Sequence, residues 1–511
     1  MDALVPAEVA PTPRLGWVLR AVLVLVVLAS LPWSVHPWYD ATNDGSMYVA
    51  TSRALAAGQG YTYNEAPFLI RPPGFAYLLA PLVRWRGTDF FAWNLYVSLW
   101  GALGVLLFQC WARVRLGELL ACVAALVLWF NPGYQRLCTQ VMSDVPGWTL
   151  LVALFLGARA LERRPSVLAA LGLGLALGLA SLVRSGNVLL LPALACAALA
   201  REFLKPEARL GWGRLTRLGF ALLAGCVLVL GPWSLRNRSV APPPPADQTL
   251  LYSYSSGMWH VDMGDPSSPR VPLGEVVERF PRQVSKLVAT LGERLGEGAP
   301  GALAPWIAGA LLLALLVALL RHRAAEEFLA LGTLVVVAFY FGYAGRLMLP
   351  IFALALVALL ELTRDGLARL LGARAGQAAA VLFGLAWMGV DFQPRQGWKE
   401  IEELHRAFER TAEQVRASLP PDARLGAYRG WDHAVYLERD VFHFEQSLAR
   451  LGPQRGSAMV IEKYRLDTVL LTPLGLPVPV ARAERAFAAE LARLHGGRDL
   501  GLLRLEPSGG H

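Results

Sequence analysis

Apolar residues run through most of this chain in blocks the length of a bilayer crossing, not in the short periodic stripes of a soluble core. Blocks of about 20 apolar residues, enough to cross a bilayer as a helix, fall near 16–33, 90–111, 116–132, 145–161, 167–183, 187–203, 217–234, 301–320, 327–343, 347–362 and 377–391. They predict eleven transmembrane helices. The first, GWVLRAVLVLVVLASLPW, has the look of a signal peptide, but no small-x-small cleavage site follows and membrane-like sequence continues, so it reads as a first span.

Between the blocks, the arginines set an orientation. With the N-terminus in the cytoplasm, the inner connections carry Arg113 and Arg115; Arg159, Arg163 and Arg164; Arg201, Lys205, Arg209, Arg214 and Arg217; Arg321 and Arg323; and Arg364, Arg369 and Arg374. Each is short and basic, as the positive-inside rule requires. The polar stretch 34–89, the long loop 235–300 and the C-terminal segment then lie outside. Within 235–300, RNRSVAPPPPADQ favours an extended chain, and LGEVVERFPRQVSKLVATLGERLG is an amphipathic helix suited to a membrane surface.

Beyond residue 394 the pattern changes. ARLGAYRGWDHAVYLERDVF, LDTVLLTP, ERAFAAELARLHGG and LGLLRLEP alternate short β-like runs with amphipathic helical ones. The expectation is a transmembrane domain over 1–394, with extracytoplasmic loops 34–89 and 235–300, and a small α/β domain over 395–511 on the outer face.

Composition agrees and removes other classes. The chain has 511 residues, is 55% hydrophobic and only 17% charged, which fits a polytopic membrane protein. Its net charge of +9 follows from the inner-loop arginines and does not mark a nucleic-acid binder. The five cysteines have no metal-ligand spacing, so neither zinc nor disulfides are indicated. No cofactor is indicated; a divalent metal is compatible with the acids present but has no signature.

Candidate chemistry gathers at the outer rim. The predicted spans hold almost no carboxylate at mid-membrane: Glu118, Glu361 and Asp391 sit at ends, and Arg20 is the main internal charge. That argues against an ion-coupled transporter, whose sites lie near the midplane. The rim holds Asp44, Glu65 and Arg71 in the first outer stretch, Asp144 in MSDVPGW, Arg184 in LASLVRSGN, Arg236 in GPWSLRN and Arg346 in YAGRLMLP. Asp44 starts a helix that offers Tyr48 one turn later on the same face, and Pro72-Pro73 stiffens the presentation of Arg71. Helix capping is the competing role for Asp44 and Asp144, and snorkelling to the interface is the competing role for Arg71. His260 and His433 read as structural or solvent-facing.

The order of D-x-x-x-Y (Asp44 to Tyr48), G-x-G-Y (Gly58 to Tyr61), R-P-P-G (Arg71 to Gly74), S-D-V-P (Ser143 to Pro146), L-x-R (Leu182 to Arg184), P-W-x-L-R-N (Pro232 to Asn237) and G-R-x-x-L-P (Gly345 to Pro350) resembles the GT-C glycosyltransferases. The likeness is to the protein O-mannosyltransferase and lipid A aminoarabinose transferase branch, over residues 16 to about 360. The resemblance implies a bacterial inner-membrane enzyme that moves a sugar from a polyprenyl-phosphate carrier to an extracytoplasmic lipid, glycan or protein, with inversion. It implies Asp44 as the catalytic carboxylate; Asp144, at the same rim, is a second candidate. It also implies Arg71 on the carrier phosphate; from their place at the rim, Arg184 and Arg346 are further candidates for the phosphate, and Tyr48, Tyr61, Glu65 and Arg236 are candidate substrate contacts. Where many relatives have Asp-Glu at the first motif, this chain has Asp44-Gly45, and Glu65 is the acid available to take the second place. The alternatives are a lipid-linked sugar flippase, or another transporter, and a non-catalytic envelope scaffold.

Overall fold

The computed structural model describes residues 13–240 except 65, 205, 206 and 208; 259–260; 269–295 except 294; 302–339; 345–392; 395; 397–444; 456–471 except 459 and 463; and 501–504. Among these, seven helices are long and apolar enough to cross a membrane. They begin with α1 (Pro13–Ser34), followed by the polar helix α2 (Asn43–Ala56), the two-residue strands β1 (Thr62–Tyr63) and β2 (Ala66–Pro67), and α3 (Gly74–Arg86). The next element, α4 (Phe90–Trp129), has 40 residues, roughly 60 Å if straight and twice a bilayer core.

It is not straight. Gly117 has φ 73° and ψ 173°, outside helical space, and splits α4 into two arms. Across this break Gln109 Nε2 donates to Glu118 Oε1 at 2.8 Å, and Glu118 also accepts from Arg20 of α1. The predicted spans 90–111 and 116–132 are these two arms. Arg20, the main charge expected inside a span, is paired with an acid at a helix junction and not isolated in lipid.

The chain continues through α5 (Pro132–Cys138), α6 (Asp144–Arg163), α7 (Val167–Val183), a 3₁₀ turn (Ser185–Leu189), α8 (Leu190–Leu204) and α9 (Trp212–Val240). After α10 (Leu273–Gly292) come α11 (Ala304–His322), α12 (Ala325–Ala338), a second 3₁₀ turn (Gly345–Met348), α13 (Leu349–Leu371) and α14 (Ala373–Asp391). Each of the eleven predicted spans overlaps a helix among the described residues. Helix α13 is the hub: Ile351 through Ala358 are all buried, so it is apolar on every side. Around it, Leu25, Leu168, Phe220, Leu228, Trp306 and Leu382 are exposed, forming the apolar surface that lipid covers. Helix α10 buries Val276, Gln283, Leu287 and Leu291, the one-sided spacing expected of an amphipathic helix.

The C-terminal part is a small α/β unit. Helix α15 (Trp398–Ser418) buries Ile401, His405, Phe408, Ala412 and Val415 at turn spacing. Strand β3 (Leu425–Ala427), helix α16 (Gly430–Leu437), and strands β4 (Phe442–His443), β5 (Thr468–Leu471) and β6 (Gly501–Arg504) follow. The four strands form a parallel sheet in the order β4-β3-β5-β6. Parallel neighbours need crossover connections, which accounts for the alternation of β-like and helical runs in the sequence.

The basic inner loops carry a prediction about sidedness. Lys399, at the start of α15, is 88% exposed. A cysteine placed there, compared with the unsubstituted parent, reacts with a membrane-impermeant maleimide in intact cells or right-side-out vesicles. Labelling that needs entry to the cytoplasm overturns the orientation.

Candidate functional site

The polar hook between α1 and α3 starts with a capped helix. Thr42 Oγ1 accepts from the Gly45 amide at 3.1 Å, so Thr42 and not Asp44 is the N-cap of α2. This replaces the capping role considered for Asp44. Its carboxylate, in the first turn where the helix dipole favours a negative charge, is left to turn toward two arginines.

Arg71 Nη2 donates to Asp44 Oδ1 at 2.8 Å, and Arg346 Nη2 donates to Oδ2. Each oxygen therefore holds one guanidinium. Burial by itself would raise the Asp44 carboxyl, but the charges of Arg71 and Arg346 and their hydrogen bonds outweigh it and hold the group well below the usual carboxylate range. Asp44 is an anion throughout the neutral range.

Three local devices bring these groups together. Tyr61 Oη donates to the Arg71 carbonyl at 3.1 Å and braces the loop ahead of Pro72-Pro73. A Cβ on Gly74 would lie 2.5 Å from the Leu182 carbonyl carbon, so only glycine lets the start of α3 touch the end of α7. A Cβ on Gly147 would lie 2.6 Å from Arg184 Cβ. With that space free, Arg184 lies across the first turn of α6 and its Nη1 reaches Asp144 Oδ1 at 2.7 Å. Asp144 opens α6 after Ser143, which makes no side-chain cap.

The ion pairs of Asp44 and of Asp144 face one cavity of about 140 Å³. Asp44, Tyr48, Arg71, Asp144, Arg184 and Arg346 all line it, with Ser143, Ser185 and Leu347. Tyr48 Oη and Ser143 Oγ are 3.1 Å apart and bridge the two halves. Three arginines against two aspartates leave the cavity with a surplus positive charge. It suits an anion held beside a carboxylate.

The remaining sequence candidates lie elsewhere. Arg236 donates to the carbonyls of Phe68 at 2.8 Å and Tyr61 at 3.0 Å and stacks over Trp233, so with Tyr61 it secures the hook from behind. Neither lines the cavity. Glu65 is outside the described residues. The absence of an acid after Asp44 has a steric counterpart: a Cβ on Gly45 would lie 2.7 Å from Thr42 Oγ1 and 2.9 Å from the Val141 carbonyl oxygen. His433 is buried against Phe408, in keeping with a structural role. Among the described residues no three His, Cys, Asp or Glu side chains cluster as a metal set would.

The sequence reading missed how α2 is held from its other side. Ser46 Oγ donates to Asp432 Oδ1, Asp432 pairs with Arg429, and Ser46 and Asp432 are both fully buried. Arg53 donates to the carbonyls of Ala434 at 2.9 Å and Val435 at 2.8 Å, capping the C-terminal end of α16. These partners are more than 380 residues apart, and no local pattern in either segment announces them.

Residues 70–230 match the family dolichyl-phosphate-mannose-protein mannosyltransferase. Among solved structures the chain is similar to ArnT from Cupriavidus metallidurans bound to undecaprenyl phosphate. That match has a TM-score of 0.57 and 17% identity, over 86% of this chain and 89% of that one. It is also similar to the archaeal oligosaccharyltransferase AglB from Archaeoglobus fulgidus in complex with an inhibitory peptide and a dolichol-phosphate. Here the TM-score is 0.53 and the identity 13%, over 89% of this chain and 69% of that one. No curated protein sequence matches the chain. The chain is a multi-pass membrane protein with the GT-C fold. Within that fold, the family match is confined to residues 70–230.

Removing the Asp432 carboxylate leaves Arg429 and Ser46 without their buried partner. Asp432→Ala is expected to lower stability by about 3 kcal/mol, in the range for breaking a buried charge pair, and Ser46→Ala by about 1 kcal/mol. Denaturant unfolding in detergent measures both. Parent-like stability for Asp432→Ala would show that the contact does not hold α2.

Proposed function

We propose that this chain is an integral-membrane glycosyltransferase of the bacterial inner membrane. In this reading it moves a sugar from a polyprenyl-phosphate carrier to an acceptor on the extracytoplasmic face, which is a lipid, a glycan or a protein. The observation that carries the reading is the Asp44 carboxylate held between Arg71 and Arg346 at the edge of a positively charged cavity. Support comes from the mannosyltransferase-family match over the R-P-P-G segment and from the fold shared with proteins solved with undecaprenyl phosphate and dolichol-phosphate.

The chemistry needs two things from the protein. A carrier phosphate leaves as an anion, so it must meet fixed positive charge, and guanidinium forks pair phosphate oxygens while staying ionised. The incoming hydroxyl must lose a proton to a positioned base, a contribution of ~10²- to 10⁴-fold. Without substrate, Asp44 is a poor base because both oxygens are tied to arginine. When the carrier phosphate takes Arg71 and Arg346, the carboxylate loses the charges that depress its proton affinity. The donor thereby switches on its own base. The acceptor oxygen then attacks sugar C1, the C1–O bond to phosphate breaks with its electron pair leaving on the carrier phosphate, and the hydroxyl proton passes to Asp44. One displacement inverts the anomeric centre. The Asp144–Arg184 pair, on the opposite wall, orients the sugar or the acceptor.

Purified protein given a radiolabelled polyprenyl-phosphate sugar tests the class. Transfer or hydrolysis marks the enzyme, movement between leaflets marks a flippase, and neither marks a scaffold. Within the enzyme reading, Arg71→Ala weakens donor use by at least about 100-fold and Arg71→Lys restores part of it, since charge survives without the fork. Unchanged donor affinity in Arg71→Ala removes this residue from the site.

A further inference from the structure

Helix α6 separates two charged regions. Asp144 is its first residue and Arg163 its last, so the regions lie about 30 Å apart along the helix. At the Arg163 end is a second, larger cavity of about 460 Å³, where the ends of α6, α8 and α11 meet the bend of α4. Its volume is within the ~300–1,000 Å³ of small-molecule sites.

Most of the charged groups around this cavity already have partners, Glu361 with His322 at 3.0 Å among them. Arg115 is paired with Glu327, and Arg159 lies 3.2 Å from Glu326, which also accepts from Trp111 Nε1 at 2.6 Å. Arg201 is paired with Glu162. Those three arginines tie helices together and are neutralised where they stand. Arg163 and Arg323 also line the void, and neither has a carboxylate partner among the described residues. Arg323 occupies the left-handed C-cap of α11 at φ 53°, a position that usually takes glycine. The cavity thus has a prebuilt wall of paired groups, Glu361 among them, and two guanidinium groups with no carboxylate partner among the described residues.

One side of the void is apolar. Val114, Ala197 and Ala200 line it, and Val114 is 56% exposed. A headgroup entering past them reaches the guanidinium groups while its acyl chains stay in lipid. We propose that this cavity is an anion site for a phosphate group, carried by the headgroup of an anionic lipid in the leaflet opposite the Asp44 cavity. Arg163 and Arg323 clasp the phosphate oxygens, for which their forks are suited, and the neutralised Arg–Glu pairs fix the geometry behind them. Basic pockets between helix ends are general recognition elements for anionic headgroups. A positive-inside surface alone would place the same charges anywhere on the inner loops, whereas a site requires these two positions.

The test uses the full chain in nanodiscs of phosphatidylcholine with or without phosphatidylglycerol. The readouts are thermal unfolding and the lipids retained in native mass spectrometry. Phosphatidylglycerol is expected to raise the unfolding temperature and to stay bound. Arg163→Ala combined with Arg323→Gly, which keeps the left-handed turn, lowers that retention by about tenfold and leaves stability in phosphatidylcholine unchanged. Arg369→Ala with Arg374→Ala removes two charges from the same face outside the cavity and retains the lipid. Equal loss in that control, or parent-like retention in the cavity variant, overturns the site. Inorganic phosphate added to the phosphatidylcholine discs separates the sources. Protection by phosphate and none by phosphatidylglycerol keeps the anion site but overturns the lipid assignment.

Discussion

One carboxylate shared by two guanidinium groups organises the end of the molecule that carries the polar hook. Asp44 joins the hook after α1 to the R-P-P-G turn and to the 3₁₀ turn that leads into α13, the central helix of the bundle. Burying an ion pair usually returns little net stability, because desolvation offsets the attraction. An arrangement of this kind makes more sense as a positioned set of charges that another anion can claim. A phosphate competes for both arginines, and no hydrophobic replacement would offer that exchange.

The rest of the structure serves to keep α2 in place. On one side it meets the cavity through Asp44 and Tyr48, and on the other it is fixed to the α/β unit through Ser46 and Arg53. Arg115 and Arg159, near helix ends, each have an acidic partner from another helix, and Arg20, inside α1, has Glu118. Charge in mid-bilayer is costly, so chemistry is left to the two rims. The rim at the hook has paired acid and base with a surplus cation, and the opposite rim has paired groups, His322 and Glu361 among them, plus two arginines with no carboxylate partner among the described residues.

Much of this was legible in the sequence because its signals are local. Apolar blocks of fixed length mark spans whatever their neighbours, and the eleven blocks match helices in the described residues. The order of short motifs brought Asp44, Tyr48, Arg71, Asp144, Arg184 and Arg346 onto one list, and they line one cavity. What could not be read depends on packing between distant segments. Thr42 took the cap that Asp44 was equally suited to fill, a choice set by where the arginines lie. Arg236 and Tyr61 resemble site residues in their motifs but brace the hook from behind. The Ser46–Asp432 contact joins two unremarkable segments, and only the folded chain brings them together.

The central claim is that Asp44 is the base released when the donor phosphate takes its arginines. The most direct measurement is single-turnover sugar transfer by Asp44→Asn, made alongside donor binding and thermal unfolding on the same preparation. The account predicts a folded protein that binds the polyprenyl-phosphate sugar as well as the parent or better, since Arg71 and Arg346 are no longer neutralised, and that transfers at least about 100-fold more slowly. Transfer at close to the parent rate by a folded, donor-binding Asp44→Asn protein would contradict it.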